Sequence, residues 1–152
     1  MELKRVVVTG IGAVSPLGNS AAETWQKLLD GVSGAAPITH FDATEFKTQF
    51  ACELKGFKAE DFIDRKEARK MDPYCHYAMA AASMAMDDSA IDLESIDKNR
   101  VGVVFGVGIG GMKTFEDEIT NYALHKDTLG PKFNPFFVPK MIADICAGQI
   151  SI

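Results

Sequence analysis

Three groups of residues have the types and spacing to do chemistry. The first is thiols and imidazoles: Cys75 stands beside His76, with Cys52, Cys146, His40 and His125 elsewhere. A thiolate with a base within reach is a nucleophile for acyl transfer. Neighbouring residues on a helix, however, point about 100° apart. Cys75 and His76 therefore do not face each other as nucleophile and base, and further ligands at zinc spacing are missing. The pair reads as a packed cysteine beside a surface or capped histidine. His40 and His125 fall in connection-like and helix-end surroundings. The second group is glycine-rich. Gly10, Gly12 and Gly18 follow an apolar run, but a dinucleotide turn needs a third glycine at the helix start and an acidic residue on the next strand. Ser15 and Pro16 occupy the critical stretch, so a tight turn with close backbone approach is the better reading. The third group is cationic. On a helix Arg65, Lys66, Arg69 and Lys70 occupy i, i+1, i+4 and i+5 and share one broad face, with Glu67 directed away. Such a face is either simply solvated or a dock for an acidic partner.

The elements that must position these groups follow from local signals. Residues 4–9 are apolar and β-branched and predict a buried strand. Ser20 with Glu23 forms a capping box for a helix to about Asp30, with Trp25, Leu28 and Leu29 on one face and Gly31 as its stop. A mixed connection follows, with a short strand near 50–54. Asp64 caps a helix over 65–71, and Asp72-Pro73 starts another to about Ser89. The middle of that helix is apolar or small nearly all round, which predicts burial on more than one side. A second buried strand is predicted at 100–105, a helix at 114–124, a helix at 140–147 ended by Gly148, and a third strand from 149. The alternation predicts an α/β layered fold with some parallel pairing.

Composition narrows the class. The 152 residues suit one domain, with 47% apolar and 24% charged residues. A formal net charge of −5 argues against non-specific nucleic-acid binding. It also makes four cations on one helix face a local exception. Three irregularly spaced cysteines and the lack of a secretory pattern predict a reducing, cytoplasmic setting. The opening apolar run is too short for a signal or a membrane span.

Four blocks together carry a specific resemblance. They are Val-Val-Val-Thr-Gly-Ile-Gly-Ala-Val-Ser-Pro-Leu-Gly-Asn at 6–19, Arg-Lys-Glu-Ala-Arg-Lys-Met-Asp at 65–72, Gly-Val-Gly-Ile-Gly-Gly at 106–111, and Pro-Phe-Phe-Val-Pro at 135–139 with Ala147-Gly148. In this order and spacing they resemble the N-terminal portion of the β-ketoacyl-[acyl-carrier-protein] synthases, thiolase-like condensing enzymes, and among these the type II synthases. The resemblance implies a fold of helix, sheet, helix, sheet and helix layers, a homodimer, and decarboxylative condensation of malonyl-carrier protein with an acyl thioester in fatty-acid elongation. It also implies that the nucleophilic cysteine and both histidines lie beyond Ile152, so that no catalytic residue falls in this chain. Cys146 matches a position that the family fills with small or apolar residues. No cofactor or metal is implied, since the acyl group travels on the phosphopantetheine arm of acyl carrier protein.

The same resemblance gives other residues roles. Arg65, Lys66, Arg69, Lys70 and Lys132 correspond to part of the dock for acidic carrier protein, where complementary charge would steer the encounter. Ile109, alone among Gly106, Gly108, Gly110 and Gly111, matches an isoleucine where the growing acyl chain lies. Phe137 matches a residue that reaches the acyl pocket across the dimer interface. Plain core packing is the competing reading for both. The alternatives are a type I synthase, a polyketide ketosynthase or chain-length factor, or a non-catalytic module that binds carrier protein. A third strand that breaks off at Ile152, and an all-round apolar helix with too few strands to cover it, predict residues 1–152 to be one partial domain truncated in a core strand.

Overall fold

The computed structural model describes residues 3–152. They contain six helices and one small sheet: α1 (Ala21–Leu29), β1 (Ala36–Pro37), β2 (Phe50–Ala51), α2 (Arg65–Ala68), α3 (Pro73–Ser89), α4 (Met112–Leu129), α5 (Phe137–Met141) and α6 (Ile145–Ser151), with 3-10 turns at Ala59–Asp61 and Lys98–Arg100. The residues form two compact units. One comprises the chain up to Lys58 together with Ala81–Ile91; the other comprises Ala59–Ala80 and Asp92–Ile152.

In the first unit the capping signals act as their chemistry dictates. Ser20 Oγ accepts from Glu23 N at 3.1 Å, and the Glu23 carboxylate reaches back to Asn19 N at 2.9 Å. Gly31, at φ +67°, lets the chain leave α1 in a left-handed turn. The second half of α3 is packed against the glycine turn. A Cβ on Gly12 would lie 1.9 Å from the Ala81 carbonyl oxygen and 2.6 Å from Ala85 N, and one on Gly10 would lie 2.1 Å from the Ala85 oxygen. Glycine is needed there because backbone meets backbone. Asp88 accepts from Ile11 N at 2.8 Å and fixes that approach.

The second unit holds the larger core. Ile63, Ala68, Met71, Cys75, Ala78 and Cys146 are buried together, with Phe62, Tyr74, Val107 and Ile150 packed on them. Asp72 is the polar member of this interior, 3% exposed. One of its oxygens accepts from Tyr74 N at 3.2 Å at the start of α3. The other accepts from Thr114 N at 2.9 Å and Thr114 Oγ1 at 2.7 Å. The residue preceding α4 is Gly111, which has no side chain to offer as a cap. One carboxylate therefore caps two helices and joins them.

Several sequence expectations are corrected. The only sheet among the described residues is the antiparallel pair β1–β2, matching Ala36 to Ala51 and Pro37 to Phe50. The strands expected at 4–9 and 100–105 form no ladder, Arg100 closes a 3-10 turn, and Val6 is 88% exposed. A strand satisfies its N–H and C=O groups only on a neighbour, and none is supplied by the described residues. The apolar face of α1 is likewise open, with Trp25 and Leu29 both 63% exposed.

The helix expected at 140–147 is instead two, α5 and α6, broken at Ile142. Helix continuation needs the Met141 and Ile142 carbonyls to accept from residues 145 and 146. Gly111 N takes the first at 3.1 Å, and the Tyr74 hydroxyl takes the second. The third strand expected from 149 is helix: α6 runs through Gly148 to Ser151. The described chain thus does not end in a strand.

Candidate functional site: a basic groove with an aromatic wall

The groove is built within the second unit. Asp64 Oδ1 caps α2, accepting from Lys66 N at 2.8 Å and Glu67 N at 3.4 Å. The helix is only four residues long, and then the backbone tightens, with Lys70 N donating to Glu67 O and Met71 N to Ala68 O. His76 Nε2 donates to the Ala68 carbonyl at 2.8 Å. With Ile63, Ala68 and Met71 buried below, the long basic side chains are left on the outside.

The opposite wall comes from α4 and the segment after it. Gly130, at φ +73°, releases the chain from α4. Glu118 accepts from Asn134 N at 3.0 Å, and the Asn134 side-chain oxygen accepts from Phe136 N at 2.8 Å. Those bonds hold the 132–136 segment against α4. Phe133 is stacked on Tyr122, with centroids 5.0 Å apart, and on Phe137, 5.6 Å away; Phe137 is in turn 6.3 Å from Phe115. Offset stacks in this range contribute about 0.5–1.5 kcal/mol each beyond area burial.

Between the walls lies an open cleft of about 750 Å³. Lys66, Arg69, Lys70 and Lys132 line it together with Leu129, Phe133 and Phe136. Among the described residues Lys66, Arg69 and Lys132 have no ion-pair partner, whereas Lys70 is paired with Glu67 at 2.7 Å. The sequence spacing placed Glu67 away from the cations. The tightened turn after α2 brings it onto Lys70 instead. Arg65 is exposed at the start of α2 but does not line the cleft. A second, smaller cavity of about 180 Å³ lies beside the first and shares Lys70 and Phe136 with it; Glu67, Met71, Pro139 and Ile145 complete most of its wall. An anionic, partly apolar surface is what such a cleft can receive: cations at the rim, aromatic rings on the wall.

Ile109 stands on the glycine loop, 71% exposed. Open space surrounds Gly106 and Gly108, but Gly110 and Gly111 press on α5, where an added Cβ would lie 2.4 Å from the Met141 oxygen and 2.2 Å from the Lys140 oxygen. Phe137 begins α5, half-buried in the aromatic row rather than in a cavity with Ile109. Cys75 and Cys146 are both fully buried in the core. Burial, with lesser effects from Cys146 and Asp72, pushes the Cys75 thiol up to about 11. Burial also raises Cys146. Thiols held in that form are poor nucleophiles. Among the described residues there is no group of three or more His, Cys, Asp or Glu able to hold a metal, and no helix long and apolar enough to cross a membrane. The sequence reading missed Phe133, Phe136, Leu129 and Glu118 as parts of the groove. Glu118 and Leu129 were signalled only as a helical face with 121, Phe136 only as part of the 135–139 block and Phe133 not at all, because the neighbour they share could not be read locally.

The chain has known relatives. Residues 3–152 match the profile of the β-ketoacyl synthase N-terminal domain. The chain is 43% identical to a 3-oxoacyl-[acyl-carrier-protein] synthase 2 of Synechocystis sp. across its whole length, and 46% identical to the enzyme of that name from Staphylococcus aureus over 98% of it. It spans 36% and 35% of those two proteins. Among solved structures, the ishigamide ketosynthase/chain length factor superposes on 99% of the chain with a TM-score of 0.87 at 27% identity, the chain covering 37% of it. A ketosynthase bound to a hexaketide, in complex with its type II polyketide acyl-carrier protein, superposes on 99% with a TM-score of 0.76 at 27% identity, the chain covering 40%. The fold is the mixed α/β fold of the ketosynthase neighbours. The chain belongs to the β-ketoacyl synthase family.

Proposed function

We propose that this chain works as the N-terminal part of a β-ketoacyl-[acyl-carrier-protein] synthase of type II, a cytoplasmic acyltransferase that elongates fatty acids by decarboxylative condensation of malonyl-carrier protein with an acyl thioester. The observation that carries this reading is the basic groove: an acidic chain concentrates unpaired Lys66, Arg69 and Lys132 beside aromatic rings, in a family where a solved relative is bound to its acyl-carrier protein. Lys66, Arg69, Lys70 and Lys132, with Arg65 at the edge, attract the acidic carrier and orient it. The carrier's phosphopantetheine arm delivers the acyl group, and the enzyme needs no cofactor or metal of its own. The thiol and the two histidines of the reaction are supplied by sequence outside this chain. Ile109 lines the acyl pocket of its own subunit, and Phe137 reaches the pocket of the partner subunit across the dimer interface. The exposed valines and the open face of α1 are covered by the rest of the polypeptide and by a second copy in a homodimer.

The TM-score of 0.87 to the ketosynthase/chain length factor favours a second reading, a polyketide subunit. The identity of 43–46% to synthases of type 2, against 27% there, places it behind the first. A cysteine at the nucleophile position of the full polypeptide separates a synthase from a chain-length factor.

The test is charge reversal in the full-length enzyme. With Lys66, Arg69 and Lys70 all changed to Glu, affinity for carrier protein falls at least tenfold in low salt and its salt dependence flattens. Unchanged affinity refutes the dock. Condensation or malonyl decarboxylation by residues 1–152 alone would refute the placement of the catalytic groups elsewhere.

A further inference from the structure

Glu67 is the carboxylate that engages a cation of the groove as an ion pair among the described residues. Its Oε1 lies 2.7 Å from Lys70 Nζ. The side chains of the pair are 43% (Lys70) and 51% (Glu67) exposed, so the contact is bathed in solvent and weak. Glu118 also lines the groove, but its carboxylate is bonded to the Asn134 amide as an anchor. Lys70 and Phe136 are common to the groove and to the smaller cavity, and Glu67 lines only the latter. The ion pair thus stands at the join between the two spaces.

We infer that Glu67 is an internal competitor for the carrier's own carboxylates: it occupies Lys70 in the free enzyme and must be displaced when the partner docks. This rests on the carrier-docking reading of the groove and adds a selectivity element to it. A partner that lacks a carboxylate at the Lys70 position leaves the pair intact and meets Glu67 as a like charge. A partner that has one exchanges one ion pair for another. Non-cognate acidic proteins are therefore repelled more than the cognate carrier, which is how a repulsive group produces specificity. The local backbone supports the assignment. The sequence spacing directs Glu67 away from the cations, but Glu67 and Lys70 stand at i,i+3, and the tightened backbone after α2, with Lys70 N on Glu67 O, brings the two side chains into contact.

The experiment is a double-mutant cycle in the full-length enzyme with apo acyl carrier protein, which lacks the prosthetic arm, as the probe. Glu67→Gln should raise the association rate about two- to fivefold at low salt, and the gain should vanish near roughly 0.5 M salt. In a Lys70→Met background the same change should give less than half of that gain. Equal gains in both backgrounds, or no gain with Lys70 present, overturn the inference. Lys66→Gln with Arg69→Gln is the control. If it slows association while Glu67→Gln is silent, the competitor role alone falls. If it too changes nothing, the carrier dock falls and takes the competitor with it.

Discussion

Replacing Asp72 with alanine should loosen the groove from beneath. The Asp72 carboxylate accepts from Tyr74 N, Thr114 N and Thr114 Oγ1 at 3.2, 2.9 and 2.7 Å. Losing a cap costs about 1 kcal/mol, and two helix starts lose theirs. The hydroxyl bond to a charged acceptor adds about 1.5–3 kcal/mol. With 3% exposure, water cannot readily replace the lost acceptor. The total is about 3–5 kcal/mol. Asp72→Asn keeps one acceptor oxygen for Tyr74 N but turns an NH₂ towards Thr114 N, and should cost about 1–2 kcal/mol. Because the full-length enzyme is large and two-state unfolding is not assured, hydrogen exchange is the right assay. The Tyr74 and Thr114 amides should exchange at least about 100-fold faster in Asp72→Ala, since each 1.4 kcal/mol is a factor of ten. Thr114→Val should be non-additive with Asp72→Ala by about 1–2 kcal/mol. Acceleration below threefold at both amides would refute the idea that one carboxylate holds two helices. Because α4 supplies one wall of the groove and the chain just before Asp72 the other, Asp72→Ala should also weaken carrier binding.

Other consequences follow from the same geometry. Gly12→Ala forces a Cβ to 1.9 Å from the Ala81 oxygen, so it should destabilise by about 2–3 kcal/mol, read as a lower Tm of the full-length enzyme. A maleimide at pH 8 should label exposed Cys52 and leave buried Cys75 and Cys146 unmodified in the native state. The Cys75 thiol is raised in the fold from 9.0 to about 11. Its contribution to stability is therefore complete below pH 9 and is lost as pH climbs towards 11. Urea midpoints should fall over that window, and less steeply in Cys75→Ala. Ile109→Phe should shorten the longest acyl chain accepted in a chain-length assay, and an unchanged profile would return Ile109 to simple packing.

The legible parts of this chain were those in which cause and effect lie within one turn. Ser20, Asp64 and Asp72-Pro73 mark helix starts because the donors they satisfy are two or three residues away. The illegible parts depend on partners distant in sequence. Residues 4–9 and 100–105 have the composition of strands, yet composition cannot provide the neighbour a ladder requires. Residues 140–147 have the spacing of one helix, yet Gly111 and Tyr74 take the two carbonyls that would have continued it. Ile150 and Ile152 read as a strand because they are β-branched. Ile150 packs on the core from a helix, where burial outweighs the small propensity difference.

The groove divides along the same line. Three of its cations were visible because Lys66, Arg69 and Lys70 crowd, with Arg65, into one short stretch of an acidic chain. Its aromatic wall was not, because Phe133 and Phe136 reach the cations only through the Glu118–Asn134 bond and the α4–α5 packing. Asp72 connects the two halves of the problem. As a local signal it starts α3; as a tertiary contact it captures Thr114 and sets α4 opposite the basic turn. A helix cap and a groove hinge are thus one side chain, and selection for carrier docking would act on a residue that contributes no charge to the rim.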